Sequence, residues 1–170
     1  MKNDSSTVRV NVGADDYTDS NGAVWESDRA YTPGAWGCRN IADTDILSTT
    51  DPIRDTDDPE LFRHIRFGEE MTYRFDVPPG KYTVRLLFAE IYWESDTAEC
   101  QDIYVQGKRI MKDFNIFDDA GHDTVFEKKT AARATDGAIE IKLVGRSLPM
   151  HSGARVSAIE IHPEGTTNEH

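Results

Sequence analysis

The 170-residue chain carries 31 acidic and 19 basic side chains, which gives a formal net charge of −12. This charge opposes the phosphate neutralisation that dominates nucleic-acid affinity, and it disfavours anionic membrane surfaces for the same reason. Residues 1–7 lack the apolar core of a signal peptide, and no stretch is apolar for the length of a membrane span. We therefore expect no nucleic acid and no membrane as partners. A hydrophobic content of 38% excludes a disordered chain, and the length predicts one domain.

Alternating apolar residues predict a series of short β-strands. The first follows a flexible tail at residues 1–7 and begins at Val8. Further alternating sets lie at residues 73–77, 82–88, 103–110, 139–143 and 159–161, with turn sequences between them. Only residues 60–65 suggest a short helical turn. Short strands without intervening helices predict an all-β protein, an antiparallel β-sandwich or jelly roll over residues 8–163, with a second flexible tail at 164–170.

The segment 13–58 is rich in turn-forming residues and has no sustained periodicity. Such a long irregular segment is more often functional than idle, so we expect it to fold over one end of the sandwich and form part of a rim. Asp19, Asn21 and Gly22 match part of a calcium-loop spacing, but Tyr17 occupies the first ligand position. A turn is the favoured interpretation. The sequence indicates no cofactor, and a structural calcium elsewhere in the acidic loops is not localised.

Motifs for metal, nucleophilic and phosphate chemistry are missing from the sequence. Cys38 and Cys100 allow one disulfide, but two unpaired thiols are about as well supported. Neither cysteine has a partner at metal-binding spacing, and the five histidines show no zinc-type pairing, so we predict no metal site. His122 and His151 are expected to be hydrogen-bonding loop residues, in preference to the alternative role of general base. The chain has no GxSxG sequence and no glycine-rich phosphate loop.

An aromatic pair at the end of a predicted strand is the most informative feature. The alternating run from Tyr82 arrives at Tyr92 and Trp93 and then meets polar residues. Large aromatic side chains at such an exposed position lose burial unless a ligand stacks on them. The other aromatics in or beside loops are Trp25, Tyr31, Trp36, Phe67 and Phe117. Any one of them could be buried beneath a loop, but as a set they suggest a platform for sugar rings.

Glu90 is the best candidate for a catalytic carboxylate because it lies beside this aromatic pair. Glycoside hydrolysis needs a second carboxylate at a fixed separation, and the sequence identifies none. The favoured alternative is that Glu90 accepts hydrogen bonds, either from sugar hydroxyls or from loop backbone. A third hypothesis is an interaction module whose aromatic loops dock another protein or another domain. The sequence thus favours a binding protein over an enzyme.

Six segments, in this order, resemble the malectin family. They are residues 10–13, 28–37, 75–78, 82–93, 112–117 and 157–161. The resemblance runs from about Val8 to Pro163 and is nearer to bacterial and plant malectin-like carbohydrate-binding modules than to the animal protein. It implies a β-sandwich of galactose-binding-like architecture. It also implies a non-catalytic lectin site for glucose-containing di- or oligosaccharides, formed by loop aromatics and one aspartate.

The family's site residues transfer position by position. Its aromatic pair corresponds to Tyr92 and Trp93, and its aromatic after an arginine corresponds to Phe67. The first-loop aromatic corresponds to Trp36 or Tyr31. The ligand aspartate of the animal protein aligns with Ser152, which supplies no charged acceptor, so Asp118 or His151 would have to replace it. The predicted ligand-binding residues are therefore Tyr92, Trp93, Phe67, Trp36, Tyr31, Glu90, Arg66, Phe117, Asp118 and Ser152.

The resemblance also implies a biological setting. Many members of this family are accessory modules of larger secreted glycoside hydrolases or parts of receptor ectodomains. It therefore implies a secreted or periplasmic location in a parent protein, a carbohydrate ligand, and other domains of that parent as further partners.

Overall fold

The computed structural model describes residues 6–95, 99–146 and 153–165 and is built almost entirely of β-strands. The strands are β1 (Val8–Asn11), β2 (Tyr17–Thr18), β3 (Val24–Ser27), β4 (Trp36–Cys38), β5 (Asp45–Ser48), β6 (His64–Gly68), β7 (Glu70–Asp76), β8 (Gly80–Ala89), β9 (Gln101–Val105), β10 (Lys108–Phe114), β11 (Val125–Ala134), β12 (Ala138–Gly145), β13 (Ala154–Val156) and β14 (Ala158–Pro163). A short helix, α1 (Ile116–Ala120), follows β10, and 3₁₀ helices span Ile41–Asp43 and Pro59–Phe62.

These strands form two main sheets and one small sheet. The main sheets have the strand orders β11-β8-β14-β1-β3-β2 and β10-β9-β12-β7-β4, and the small sheet has the order β13-β6-β5. Neighbouring strands are antiparallel except β1 and β3, which pair in parallel through Val10 and Glu26. The prediction of an all-β protein with an antiparallel β-sandwich is confirmed.

The strand β8 is buried on both faces. Leu86 and Phe88 point into the main core between the two large sheets. Leu87 and Ala89 point the other way, into a second apolar cluster that also contains Ile53. A strand covered on both faces reads as a continuous apolar run, as residues 86–89 do. The segment 13–58 therefore contributes to the cover over an outer face of the sandwich, and it contains four short strands where the sequence predicts irregular structure.

The sandwich has two distinct ends. The chain turns from Asp76 at the end of β7 to Gly80 at the start of β8, so these residues mark one end, the Asp76 end. The ten residues of β8 then cross the domain, about 33 Å at the usual rise of a strand, and Tyr92 follows at the other end, the Tyr92 end. Residues predicted to share a site must lie at the same end.

Neither Cys38 nor Cys100 forms a disulfide bond. Cys38 lies in β4 within the main core, and burial raises the pKa of its thiol to about 11. Cys100 is half-buried. Of the two arrangements that the sequence allows, the structure has the one without a disulfide.

Candidate functional site

The Tyr92–Trp93 pair lies where β8 gives way to a loop. Tyr92 is 56% exposed, and it is the one aromatic side chain among the exposed large hydrophobic residues of the described ranges. The two ring centroids are 4.7 Å apart and the ring planes meet at 86°, which is an edge-to-face contact. Edge-to-face pairs are favourable beyond their buried area, so Trp93 helps to hold the Tyr92 ring. The result is a supported aromatic surface that faces solvent.

Glu90 fixes the backbone beneath this pair. Its side chain is buried, and its Oε2 accepts hydrogen bonds from the backbone N–H groups of Tyr92 and Trp93, both at 3.1 Å. The Nη1 atom of Arg155 donates to both carboxylate oxygens, at 3.1 and 2.9 Å. Of the roles left open by the sequence, the loop-backbone role is the one that the structure shows. The predicted contact with sugar hydroxyls does not fit, because the carboxylate faces inward.

The loop before β11 supports the aromatic pair from the other side. The Nδ1 atom of His122 lies 2.7 Å from the carbonyl oxygen of Trp93, and the Asp123 N–H donates to the carbonyl of Glu90 at 2.9 Å. Burial raises the pKa of Asp123, and nearby Asp51 adds to the rise, while His122 opposes it. His122 thus has the hydrogen-bonding loop role expected from the sequence. The part played by Asp123 was missed.

Phe67 and Arg66 are neighbours on β6 but point to opposite sides. Phe67 is half-buried, packs against the second apolar cluster, and lies opposite Arg155 across the strand pair β6–β13. Phe67 therefore lies at the Tyr92 end, and its contact with a ligand stays a prediction. Arg66 is 6% exposed, and its Nε donates to Asp28 at 2.8 Å. The predicted contact between Arg66 and a sugar does not fit, because its guanidinium is held in a buried ion pair.

Phe117 and Asp118 lie in α1, at the Tyr92 end. The Asn115 side chain caps this helix by accepting from the Asp118 N–H at 3.2 Å, and the Gly121 N–H closes the helix on the carbonyl of Phe117. His122 follows directly. Asp118 is exposed and Phe117 is half-buried, so both are compatible with the predicted site.

Trp36 and Tyr31 lie at the other end of the sandwich. Trp36 is 6% exposed, stacks on Phe75 with ring centroids 6.0 Å apart, and has the Arg29 guanidinium 3.8 Å above its ring. The Tyr31 hydroxyl donates to Asp76 at 2.6 Å. The predicted stacking role does not fit either residue: Trp36 is a core side chain, and both lie at the Asp76 end, the length of β8 away from Tyr92.

Two other sequence-based expectations concern acceptors and calcium. Ser152, and its alternative His151, lie outside the described residues. The carboxylate of Asp19 accepts from the backbone N–H groups of Asn21 and Ala23 and from the indole N–H of Trp25. It therefore closes a turn, which is the interpretation that the sequence favours.

The chain is similar to known proteins in sequence and in fold. The family model described as the Malectin domain matches residues 6–153. A probable leucine-rich repeat receptor-like serine/threonine-protein kinase of Arabidopsis thaliana is 30% identical over 192 residues, covering 92% of this chain and 19% of the relative. Malectin of Mus musculus is 26% identical over 140 residues, covering 78% of this chain and 45% of the relative.

Solved structures show the same fold. The β-glucuronidase 2 of Bacteroides uniformis, covalently bound to cyclophellitol-6-carboxylate aziridine, superposes with a TM-score of 0.80 and 25% identity, covering 94% of this chain and 18% of that one. The chain thus spans less than half the length of each of these relatives. In the described ranges, no helix has the length and apolarity needed to cross a membrane. With a family model matched over most of its length, the chain belongs to the malectin family.

Proposed function

We propose that this domain binds glucose-containing di- or oligosaccharides, or a related neutral polysaccharide, without catalysing a reaction. Membership of the malectin family assigns the domain to carbohydrate binding. The observation that carries the finer proposal is the exposed Tyr92 ring on a backbone that the buried Glu90 carboxylate fixes. Sugar rings present patches of C–H that pack on such a surface.

The geometry supports a modest but specific affinity. The aromatic loop is fixed before any ligand arrives, by Glu90 on one side and by His122 on the other, so binding loses little loop entropy. Phe67 adds apolar surface and Asp118 an exposed carboxylate acceptor at the same end. A shallow site of this kind gives dissociation constants in the millimolar to micromolar range, about −4 to −8 kcal/mol. Ser152 stays a proposed contact from the family resemblance.

The same contacts argue against a glycosidase. A retaining or inverting mechanism needs two carboxyl groups that flank the scissile bond, one of them able to protonate the leaving group. Glu90 is instead paired with Arg155 and with two backbone N–H groups. We infer that the domain contributes binding, and that any hydrolysis belongs to other domains of a parent protein.

Calorimetric titration with maltose, cellobiose and longer gluco-oligosaccharides, after a glycan array, tests this proposal. Tyr92→Ala should weaken binding at least about tenfold, as expected for truncation of an aromatic anchor. Tyr104→Ala is the matched control, because Tyr104 is a half-buried tyrosine on β9, away from the site. Absence of binding to any neutral glycan, or equal effects of the two variants, would contradict the site.

A docking module is the alternative that uses the same surface. It predicts binding to another domain that persists in excess free sugar and is lost in Tyr92→Ala. Competition between a neighbouring domain and a gluco-oligosaccharide separates the two functions: displacement by sugar supports the lectin proposal, and persistence supports docking.

We also propose a location outside the cytoplasm, secreted or periplasmic, as an accessory module of a larger glycan-active protein. The relatives that support this setting are a receptor-like kinase and a β-glucuronidase, and the chain covers less than a fifth of each. Sequencing the coding region on both sides of this segment tests it: glycan-active domains in the same reading frame are the expected result.

A further inference from the structure

Three side chains from two separate segments meet beside the aromatic pair. Asp51 comes from the segment that covers the outer face, and His122 and Asp123 come from the loop before β11. One ligand atom from each residue lies within 4.8 Å of the other two. Ligands about 2.1 Å from a single ion stand roughly 3–4 Å apart, so a small inward adjustment gives a coordination sphere.

Asp123 is an unusual buried carboxylate. The residue is 7% exposed, and its Oδ1 atom is buried without a hydrogen-bond partner. Its backbone has a φ of 55°, a conformation that is uncommon for a residue other than glycine. Among the ion pairs within the described ranges, the one that Asp123 makes is with His122, at 3.2 Å. A buried carboxylate oxygen without a partner is costly unless a cation or a donor completes it.

The orientation of His122 identifies its free nitrogen. Because the Trp93 carbonyl oxygen can only accept, the His122 Nδ1 atom at 2.7 Å must carry the hydrogen. In the neutral ring, the lone pair of Nε2 then points at the Asp123 Oδ2 atom, 3.2 Å away. Two lone pairs do not attract each other, so this contact requires a proton on one of the two atoms or a cation between them. A backbone carbonyl that orients the non-ligating nitrogen is the usual support of a metal-binding histidine.

Burial and Asp51 raise the pKa of Asp123 and outweigh the Arg54 charge, which acts to lower it, and no arginine or lysine forms an ion pair with Asp51 or Asp123 within the described ranges. Arg54 is the nearest arginine in sequence, and its Nη2 atom donates to the carbonyl of His122 at 3.2 Å. The ion pairs found in the described ranges include none between Arg54 and Asp51 or Asp123. The cluster therefore brings two carboxylates and one imidazole together, with their ligand atoms within 4.8 Å of one another.

We propose that Asp51, His122 and Asp123 bind a divalent transition-metal ion, for which Zn²⁺ is the probe. One imidazole and two carboxylates form a ligand set that zinc accepts, with water in the remaining position. Calcium and magnesium prefer oxygen ligands throughout, so the imidazole discriminates against them. Through the bond from His122 to the Trp93 carbonyl, the ion would tie the covering segment to the aromatic loop. None of the three ligand side chains is assigned to the sugar surface, so Zn²⁺ binding can be measured without a sugar.

The test uses the purified chain after dialysis against a chelator. Zn²⁺ should bind in calorimetry with a stoichiometry of one and raise Tm by several degrees at saturation, because a ligand that binds only the folded state stabilises it. Ca²⁺ at the same concentration should shift Tm far less. No Zn²⁺ binding, or an equal shift with Ca²⁺, would overturn the proposal.

Two variants locate the bound ion. Asp51→Asn removes an exposed ligand and should abolish the Zn²⁺ shift, while Asp57→Asn, an exposed aspartate of the same segment, should keep it. His122→Asn removes the Nε2 ligand but can retain an N–H donor to Trp93. His122→Asn should therefore also lose the rise in Tm that Zn²⁺ causes. If the Zn²⁺ shift persists in both Asp51→Asn and His122→Asn, the ion is bound elsewhere and the assignment is wrong.

Discussion

The two ends of the sandwich carry similar residues in different states. At the Asp76 end, Tyr31 bonds Asp76, and Trp36 lies between Phe75 and Arg29. At the Tyr92 end, Glu90 and Arg155 lie beneath Tyr92 and Trp93, but the Tyr92 ring is left 56% exposed.

The two ends differ in the hydrogen-bond donors to their carboxylates, Asp76 at one end and Glu90 at the other. Asp76 accepts from a tyrosine hydroxyl and so draws that aromatic side chain into the structure. Glu90 accepts from backbone N–H groups and leaves the side chains that follow free to point outward. Asp76 also accepts from the Gly34 N–H, so the feature that separates the two ends is the hydrogen bond to the tyrosine hydroxyl, which Asp76 makes with Tyr31.

The largest expected effect is that of Trp36→Ala at the Asp76 end. Truncating a buried tryptophan leaves a cavity and should lower the free energy of unfolding by about 3–5 kcal/mol. Urea denaturation measures this loss. At urea concentrations below the unfolding transition, the affinity of Trp36→Ala for gluco-oligosaccharides should equal that of the unchanged protein. A selective loss of affinity would mean that Trp36 belongs to the site after all.

Glu90→Gln should have the next largest effect. The amide keeps one acceptor oxygen for the Tyr92 and Trp93 N–H groups but turns an N–H₂ donor towards the Arg155 guanidinium. The expected loss is about 1–3 kcal/mol of unfolding free energy. The loss is limited because Arg155 keeps a second carboxylate partner, Glu99, at 3.4 Å. Thermal denaturation and sugar titration should both respond. A variant that loses neither stability nor affinity would show that the aromatic loop does not depend on Glu90.

A smaller effect concerns acid stability at the Asp76 end. Desolvation opposes ionisation of Asp76, but hydrogen bonds from Tyr31, Gly34 and Arg74 outweigh it and lower the pKa of this carboxyl below its usual value. A carboxyl whose pKa is lower in the folded state stabilises the fold at pH values above its unfolded-state pKa of about 3.9. This contribution is lost as the pH falls through the folded-state pKa. The stability difference between the unchanged protein and Asp76→Asn should therefore shrink between about pH 5 and pH 3. A stability difference between the two proteins that does not change with pH would contradict this role of Asp76.

Tyr31→Phe should give the smallest effect. It removes the hydroxyl that donates to Asp76 but keeps the ring, so we expect a slight fall in Tm and unchanged sugar affinity. Tyr92→Phe is the counterpart at the other end and should leave Tm unchanged. Weakened sugar binding in Tyr31→Phe would show that the two ends are not functionally separate.

Local patterns were sufficient to predict some strands and not others. The alternation at residues 73–77 and 82–88 corresponds to β7 and β8. The ten residues of β11 were missed, because the positions that alternate inward from Phe126 include Lys128, Thr130 and Ala132, which give no apolar signal. A strand that pairs with β8 along its whole length needs little apolar character of its own.

Several residues could not be placed from the sequence because their contacts are with residues distant along the chain. Trp36 was expected in a loop, but its cross-strand partner is Phe75, which a local pattern cannot show. Arg155, the partner of Glu90, lies 65 residues away along the chain. The cluster of Asp51 with His122 likewise joins separate loops, so no zinc-type spacing exists to be recognised. Tyr92 was recognisable because its environment is set by its immediate neighbours.

The pairing of the first and last strands bears on how this domain could be joined to others. Val8 of β1 is the register partner of Ile161 in β14, so a polypeptide entering through one strand leaves through the other about 5 Å away. Asn11 and Ala158 form the other end of the same ladder, near Leu87, so entry and exit lie towards the Asp76 end. A host protein can therefore accept the whole unit within one of its surface loops. In that arrangement the host is attached towards the Asp76 end, and the Tyr92 end points away from the host.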